Sequence, residues 1–298
     1  MRILVTGAGG FIGRSVVKQA RARGWDVMGV ARRPCADATL IADLRQPIED
    51  WPAPDAVIHL AGSYVGGTTR EMAETDVAMA RNLLAWGRRK GVRRWVFASA
   101  AEVYGDIAGE ADESWPCRPA IPFGSAKLEI ERMFQAAGLP EVAICRIGEV
   151  YGPNGRLLSE LGGRLRSGFC PWPGDGQVRL SFVHVEDAAA ALLLASERAA
   201  PASRTYNVGD SQPATWRQFL DRVAEMLGVR RRAVYLPLAV ARCYAACVSW
   251  ADATVTPRVL RLLTTPKVLS SARARDELGF VPRYPAFDAG LLEALGAL

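Results

Sequence analysis

The segment Val5-Thr6-Gly7-Ala8-Gly9-Gly10-Phe11-Ile12-Gly13 constrains the fold more than any other stretch of this chain. It lies between a short β-branched run, Ile3–Thr6, and a helical pattern, Ile12–Arg23. Glycines at Gly7, Gly10 and Gly13 suit a strand–turn–helix unit that receives a dinucleotide. Gly7 permits the tight turn, Gly10 lets the backbone approach a pyrophosphate, and Gly13 lets the helix pack closely on the strand. The N–H groups that open the helix, with Phe11 and Ile12 in the same contact set, then face the phosphates. Placed at the first strand–helix junction of a βαβ chain, the pattern is far more specific than the bare glycine spacing.

The rest of the first half keeps the same rhythm. Asp26–Val30, Ala56–Leu60, Trp95–Ala98 and Val142–Arg146 read as further strands, and their continuous hydrophobicity suits a parallel sheet buried on both faces. Helical patterns at Thr75–Lys90 and Ser125–Ala137 alternate with them. This predicts an α/β fold, a Rossmann-type doubly wound parallel sheet with a smaller, mainly C-terminal substrate-binding cap. Beyond residue 150, Tyr151–Gly155 and Gly162–Gly176 are rich in Gly and Pro and predict loops over the sheet edge. Phe182–Val185 predicts a strand, Asp187–Arg198 a helix, Tyr206–Val208 a strand and Thr215–Leu227 a helix. The expected division is a dinucleotide-binding part at 1–151 and 180–208, with cap segments at 152–179 and 209–298.

Composition limits the partners. The 298 residues carry 37 basic and 31 acidic side chains, a net of +6, too mild and too evenly spread to imply nucleic acid. The densest basic run, Arg88, Arg89, Lys90, Arg93 and Arg94, ends a predicted helix, where cations suit the helix dipole. The chain opens directly on a strand rather than on a charged-then-apolar leader. Ala233–Trp250, the most apolar later stretch, is broken by Pro237 and Arg242 and is too short to span a bilayer. No membrane partner is expected, and the expected location is cytoplasmic. The six cysteines form no C-x-x-C pair, and Cys243 and Cys247, at i, i+4, read as packed thiols. His59 and His184 both fall in apolar strands and read as core residues, so no metal site is expected.

The end of the second strand indicates which dinucleotide binds. A site for NAD usually carries Asp or Glu there, to hold the ribose 2′-hydroxyl. Here the residues are Gly29-Val30-Ala31-Arg32-Arg33. Ala31 removes the carboxylate that would repel a 2′-phosphate, and Arg32 and Arg33 stand where that phosphate would sit. NADP(H) is the expected cofactor.

Several motifs then carry a resemblance. Besides Gly7–Gly13 these are Asp43-Leu44, His59-Leu60-Ala61-Gly62, Ser99-Ala100-Ala101-Glu102-Val103-Tyr104-Gly105 and Arg146 to Pro153. Phe182-Val183-His184-Val185-Glu186-Asp187 and Tyr206-Asn207-Val208-Gly209 complete the set. Together they resemble the extended short-chain dehydrogenases/reductases, the family of nucleotide-sugar epimerases and dehydratases, over nearly the whole chain. The resemblance implies that Asp43 and Leu44 flank the adenine, and that Leu60, Ala61, Gly62, Ser99 and Ile147 line the rest of the cofactor. It also implies hydride transfer assisted by a Tyr-x-x-x-Lys pair and a nearby Ser or Thr. In that pair the lysine lowers the tyrosine's pKa and holds the nicotinamide ribose.

Here the matching segment is Pro122-Phe123-Gly124-Ser125-Ala126-Lys127. Lys127 is retained, Phe123 occupies the tyrosine position, and Ala100 occupies the Ser/Thr position. Neither replacement moves a proton. Three functions fit this pattern: a cofactor-binding protein without activity, a sugar-nucleotide epimerase or dehydratase using other residues, and a reductase that needs little help from the protein. In the last, proximity does most of the work and the substrate supplies the proton, through a phenol or enol beside the ketone. The expected partner is therefore a small-molecule substrate, an aromatic ketone of the polyketide kind. Tyr64, Glu102 and Trp172 are its candidate contacts, and Phe169, Tyr235, Tyr244 and Trp250 are further aromatic residues of the cap. In the family, helices corresponding to Thr75–Lys90 and Ser125–Ala137 often build a dimer interface; the basic residues from Arg81 to Arg94 leave monomer and homodimer both open.

Overall fold

The computed structural model describes residues 1–48, 50–63, 69–198, 202–229, 233–248 and 256–296. Tyr64 and Trp250 lie outside them. Seven parallel strands form the central sheet, in the spatial order Ala202–Val208, Glu141–Ile147, Arg94–Ala100, Ala56–His59, Arg2–Thr6, Asp26–Ala31 and Leu40–Ile41. The chain winds outward from Arg2–Thr6, then returns to add Ala56–His59 on the other side. This reversal opens the crevice in which such sheets hold their ligands.

Side chains alternate between the faces as the period of two requires. Ile3, Val5, Ile58, Val96 and Ala98 point to one face and pack under the helices Phe11–Ala22 and Val185–Glu197. Leu4, Val57, Trp95, Phe97 and Ile144 point to the other, under the helices Arg70–Arg89 and Pro122–Ala136. Both faces are apolar because both are covered. The Arg70–Arg89 helix starts earlier than the apolar period indicates, because the Thr69 hydroxyl accepts the Met72 N–H and caps it.

A third core gathers Tyr151, Leu158, Leu161, Trp172, Phe182, Trp216, Phe219 and Leu291. Here the structure corrects the expected loop at Gly162–Gly176: the helix Arg156–Arg166 runs through Gly162 and Gly163. Leu158, Leu161 and Leu165 bury one face at helical spacing, and that burial outweighs the glycine penalty. The Phe182–His184 strand stands apart from the main sheet and pairs in parallel with Glu149–Tyr151. Near the C-terminus, Val268–Leu269 pairs with Glu110–Ala111, while Ala274, Leu278 and Phe280 join the core of the first face.

The basic run is taken up structurally. Arg94 pairs with Glu141 at 2.6 Å and donates to the Ser196 carbonyl, Lys90 pairs with Asp50, and Arg89 donates to the Ile48 carbonyl. Cys243 and Cys247 differ from expectation. They lie on the Leu238–Val248 helix but are exposed, because that helix buries Ala241 and Ala245 instead.

Candidate active site

Gly7 has φ 70°, and a Cβ built there would lie 2.9 Å from the Ala61 nitrogen, so both its conformation and its neighbour require glycine. A Cβ at Gly13 would meet the Gly7 carbonyl at 2.1 Å, which is the close helix–strand contact expected of that position. The Phe11–Ala22 helix has neither a side-chain cap nor an acid in its first turn, leaving its N–H groups available to an anion. Ile12 packs on the core, and Phe11 rests over Gly155, where a Cβ would come within 2.7 Å of its ring.

Gly7, Gly9 and Gly10 open on a cleft of about 850 Å³ along the crevice, also lined by Ala31, Arg32, Arg33, Asp43, Leu44, Leu60, Ala61, Gly62, Ser63 and Asp76. That is ample for a dinucleotide. The Thr6 hydroxyl accepts the N–H groups of Leu60 and Ala61, both at 3.2 Å, and fixes the far wall. With both acceptor positions taken, Thr6 donates to His59 Nδ1 at 2.7 Å. His59 is a core residue packed beside the stacked rings of Phe97 and Phe134, held by burial down to about 3 and therefore neutral. Arg32 and Arg33 are exposed at the cleft, where Arg14 and Arg45 join them. Arg45 grips Asp43 and holds its carboxyl down to about 2. With Arg45 paired to Asp43, Arg14, Arg32 and Arg33 are the further guanidiniums that line the cleft where the second strand ends.

Behind Gly62, where a Cβ would lie 3.7 Å from the Lys127 ammonium, Lys127 comes together with Phe123 and Ala100. Lys127 is buried; its ammonium donates to the Ala98 carbonyl at 2.8 Å and lies 4.9 Å from the Phe97 ring and 5.5 Å from the Phe123 ring. Burial pushes it down to about 8, against the opposing pull of Asp76, Glu131 and Glu102. Asp76 in turn accepts the Ser63 N–H at 2.8 Å and its hydroxyl at 3.0 Å. Ala100, Ile121 and Phe123 form one apolar cluster with Leu262 packed on it, and Ile147 stands beside Ala100 in strand register.

No neighbouring hydroxyl among the described motif residues takes over. Ser99 donates to Glu131, which is buried in a paired contact with Arg146 at 2.7 and 3.0 Å. Tyr104 donates to Asn207 at 2.7 Å under the Arg146 guanidinium, and burial pushes its phenol up to about 12.

The expected substrate contacts fare differently. Tyr64 is outside the described residues. Trp172 is 2 % exposed and packs against Trp216, so its ring serves the core and is closed to a ligand. Phe169 is 65 % exposed, and Tyr235 stacks under Arg217 at 3.9 Å. Glu102 is beside the site but carries a partner that sequence reasoning missed, Lys267, at 2.6 Å. Neither Lys267 nor Arg14 and Arg45 belongs to a spacing pattern. Arg14 alone had a local signal, in the first turn after the glycine loop.

This sheet, crevice and glycine turn define a nucleotide-cofactor enzyme fold, and the chain belongs to the NAD dependent epimerase/dehydratase family, whose model matches residues 3–209. Among curated relatives it is similar to the 3-diazoavenalumate denitrifying reductase of a Streptomyces species, at 28 % identity over 98 % of this chain and 99 % of that one. It is similar as well to the 4-hydroxy-2-methyl-3-oxo-4-farnesyl-3,4-dihydroquinoline-1-oxide ketoreductase of Stigmatella aurantiaca, at 27 % identity over 95 % and 92 %. Among solved structures it resembles MoeE5 in complex with UDP-glucose and NAD, with a TM-score of 0.82, 26 % identity and coverage of 100 % and 98 %. Human epimerase family protein SDR39U1 (isoform 2) with NADPH matches with a TM-score of 0.79 and 25 % identity, covering each chain completely. The curated relatives named here are reductases, and the two solved neighbours hold NAD and NADPH respectively.

Proposed function

We propose that this chain is an NADPH-dependent ketoreductase acting on a carbonyl of an aromatic polyketide-type natural product, with a proton that does not come from residue 123. The observation that carries this reading is the apolar wall of Ala100 and Phe123 beside a buried, retained Lys127. An epimerase must remove and return a proton at one centre, which such a wall does not do; a reduction needs one hydride and one proton. The reductase names among the relatives support the same choice, and the loss of the tyrosine resembles the ketoreductase that acts on the angucyclinone part of simocyclinone.

NADPH, when bound, supplies the hydride. Gly7, Gly10, Gly13 and the helix N–H groups hold its pyrophosphate, Arg32 and Arg33 hold the 2′-phosphate, and Asp43 and Leu44 bracket the adenine. Leu60, Ala61, Gly62, Ser99 and Ile147 line its length, while Lys127 holds the nicotinamide ribose. Segments 152–179 and 209–298 close over the substrate, apart from Ala274, Leu278 and Phe280, which pack in the sheet core, and Phe123 and Ala100 offer it an apolar face. A hydroxyl beside the substrate's ketone hands its proton to the developing alkoxide. The protein acts in the cytoplasm, as a monomer or a homodimer, on a small molecule.

The test is loss of the reduced nicotinamide absorbance with NADPH and a panel of hydroxylated aromatic ketones, with UDP-glucose and UDP-galactose as the contrasting substrates. Reduction of the ketones is expected. Interconversion of the sugars would replace this reading with the epimerase, and tight NADPH binding with no turnover would replace it with a binding protein.

A further inference from the structure

A second buried lysine stands behind the wall of Ala100 and Phe123. Lys267 is 3 % exposed, and its ammonium lies 2.6 Å from Glu102 and 3.5 Å from Glu149. Three separate parts of the chain meet there. Glu102 is in the Ala101–Val103 turn directly after Ala100, Glu149 opens the Glu149–Tyr151 strand, and Lys267 follows the Pro257–Thr264 helix. The Lys267 backbone is fixed at both ends of its peptide: its N–H donates to the Arg179 carbonyl at 3.0 Å, and its carbonyl accepts the Ser181 N–H at 2.9 Å.

Burying three ionisable groups costs several kcal/mol per ion, and one carboxylate would have sufficed to pair the lysine. Burial pushes the Glu149 carboxyl up, towards its neutral form. Burial also works to lower the Lys267 ammonium, but Glu102 and Glu149 outweigh it and keep it charged. The cluster therefore holds a charged ammonium between two carboxyl groups. A gap of about 20 Å³ is lined by Lys267 and Glu102 together with Ile121, Leu262 and Thr265, among others. Ile121 and Leu262 are the same side chains that pack on Ala100 and Phe123. The missing hydroxyls and the buried ammonium thus share a wall, separated by room for one water-sized group.

We propose that Lys267 is the protein's proton donor, and that it acts through a hydroxyl of the substrate seated in this gap. The inference rests on the ketoreductase reading above and narrows its substrate class to aryl ketones with a hydroxyl beside the carbonyl. Hydride moves from the reduced nicotinamide to the carbonyl carbon, breaking the donor C–H bond and the carbonyl π bond, and the cofactor is oxidised. The substrate's hydroxyl gives its proton to the new alkoxide, and Lys267 replaces that proton on the hydroxyl oxygen. The neutral amine left behind regains a proton from solvent. Glu102 is a positioning residue that aims the ammonium.

The probes are 8-hydroxy-1-tetralone and 1-tetralone, with Lys267→Met and Lys267→Arg. Lys267→Met should lower kcat on the hydroxylated ketone by about a hundredfold, within the usual range for a lost acid–base group. Its NADPH affinity should be unchanged, and turnover of 1-tetralone, which has no hydroxyl to carry the proton, should fall far less. Lys267→Arg keeps a cation for Glu102 but releases no proton, so it should melt like wild type and be as slow as the methionine variant. Equal losses on both ketones, or a twofold change or less on the hydroxylated one, would overturn the inference. A spectral arm needs no turnover: 8-hydroxy-1-tetralone in the NADP⁺ complex should have an absorption band that differs between wild type and Lys267→Met. If neither ketone is reduced, the ketoreductase reading fails by itself; identical bands would overturn the role of Lys267.

Discussion

Replacing Arg32 and Arg33 with alanine tests the cofactor assignment most directly. Both are exposed and line the cleft where the second strand ends at Ala31. Two unit charges about 4 Å apart attract by about 1 kcal/mol in the dielectric of bulk water, and a phosphate monoester carries between about 1.5 and 2 charges. Each arginine should therefore contribute on the order of 1–2 kcal/mol, which is about tenfold in Kd. The double variant should bind NADPH about a hundredfold more weakly, provided the two contributions add. Arg14 and Arg45 remain at the cleft and keep some affinity. NADH has no 2′-phosphate and should bind both proteins alike. Because the contacts are exposed, salt at about 1 M, where the screening length falls to about 3 Å, should shrink the wild-type preference. Isothermal titration of each cofactor into each protein measures all of this. If the double variant loses NADH and NADPH equally, or if the wild type prefers NADH, the arginines do not read the phosphate.

Further outcomes follow from the site around Lys127. Lys127→Ala should raise the Kd of NADPH, and in the wild type that affinity should fall as pH rises through about 8, where the buried ammonium loses its proton; Lys127→Met should show no such fall. Phe123→Tyr should change turnover only modestly, measured by NADPH consumption, because no hydroxyl partner waits at Ala100; restoration of a large rate would show that the family's acid is still wanted. Glu131→Gln leaves the buried Arg146 unpaired and should cost about 3–5 kcal/mol in chemical denaturation. A loss below about 1 kcal/mol would mean that water reaches the guanidinium.

The parts of the fold built on local pattern were readable in advance. The glycine turn and the parallel strands follow from residues near one another in sequence. Gly162 and Gly163 misled because two breakers were weighed against a leucine period whose burial depends on distant Trp216 and Phe219. Trp172 misled for a related reason, since an aromatic residue in a cap segment serves a core as readily as a ligand. Lys267 left no trace in the sequence. Its neighbours Val268 and Leu269 form a two-residue strand with Glu110–Ala111, and that pairing, with the backbone bonds of Lys267 to Arg179 and Ser181, brings it to Glu102, 165 positions away.

The return of Ala274, Leu278 and Phe280 to the sheet core has a consequence for engineering. The stretch common to the family ends at Gly209, yet a chain cut there would lose three core side chains and leave Val185–Glu197 with an uncovered flank. It would also lose Lys267 while retaining Glu102 and Glu149. The tail beyond Gly209 is thus no detachable specificity module. Chimaeras that exchange it between relatives should fold only when the donor brings its own matching helix and the residues that helix packs against.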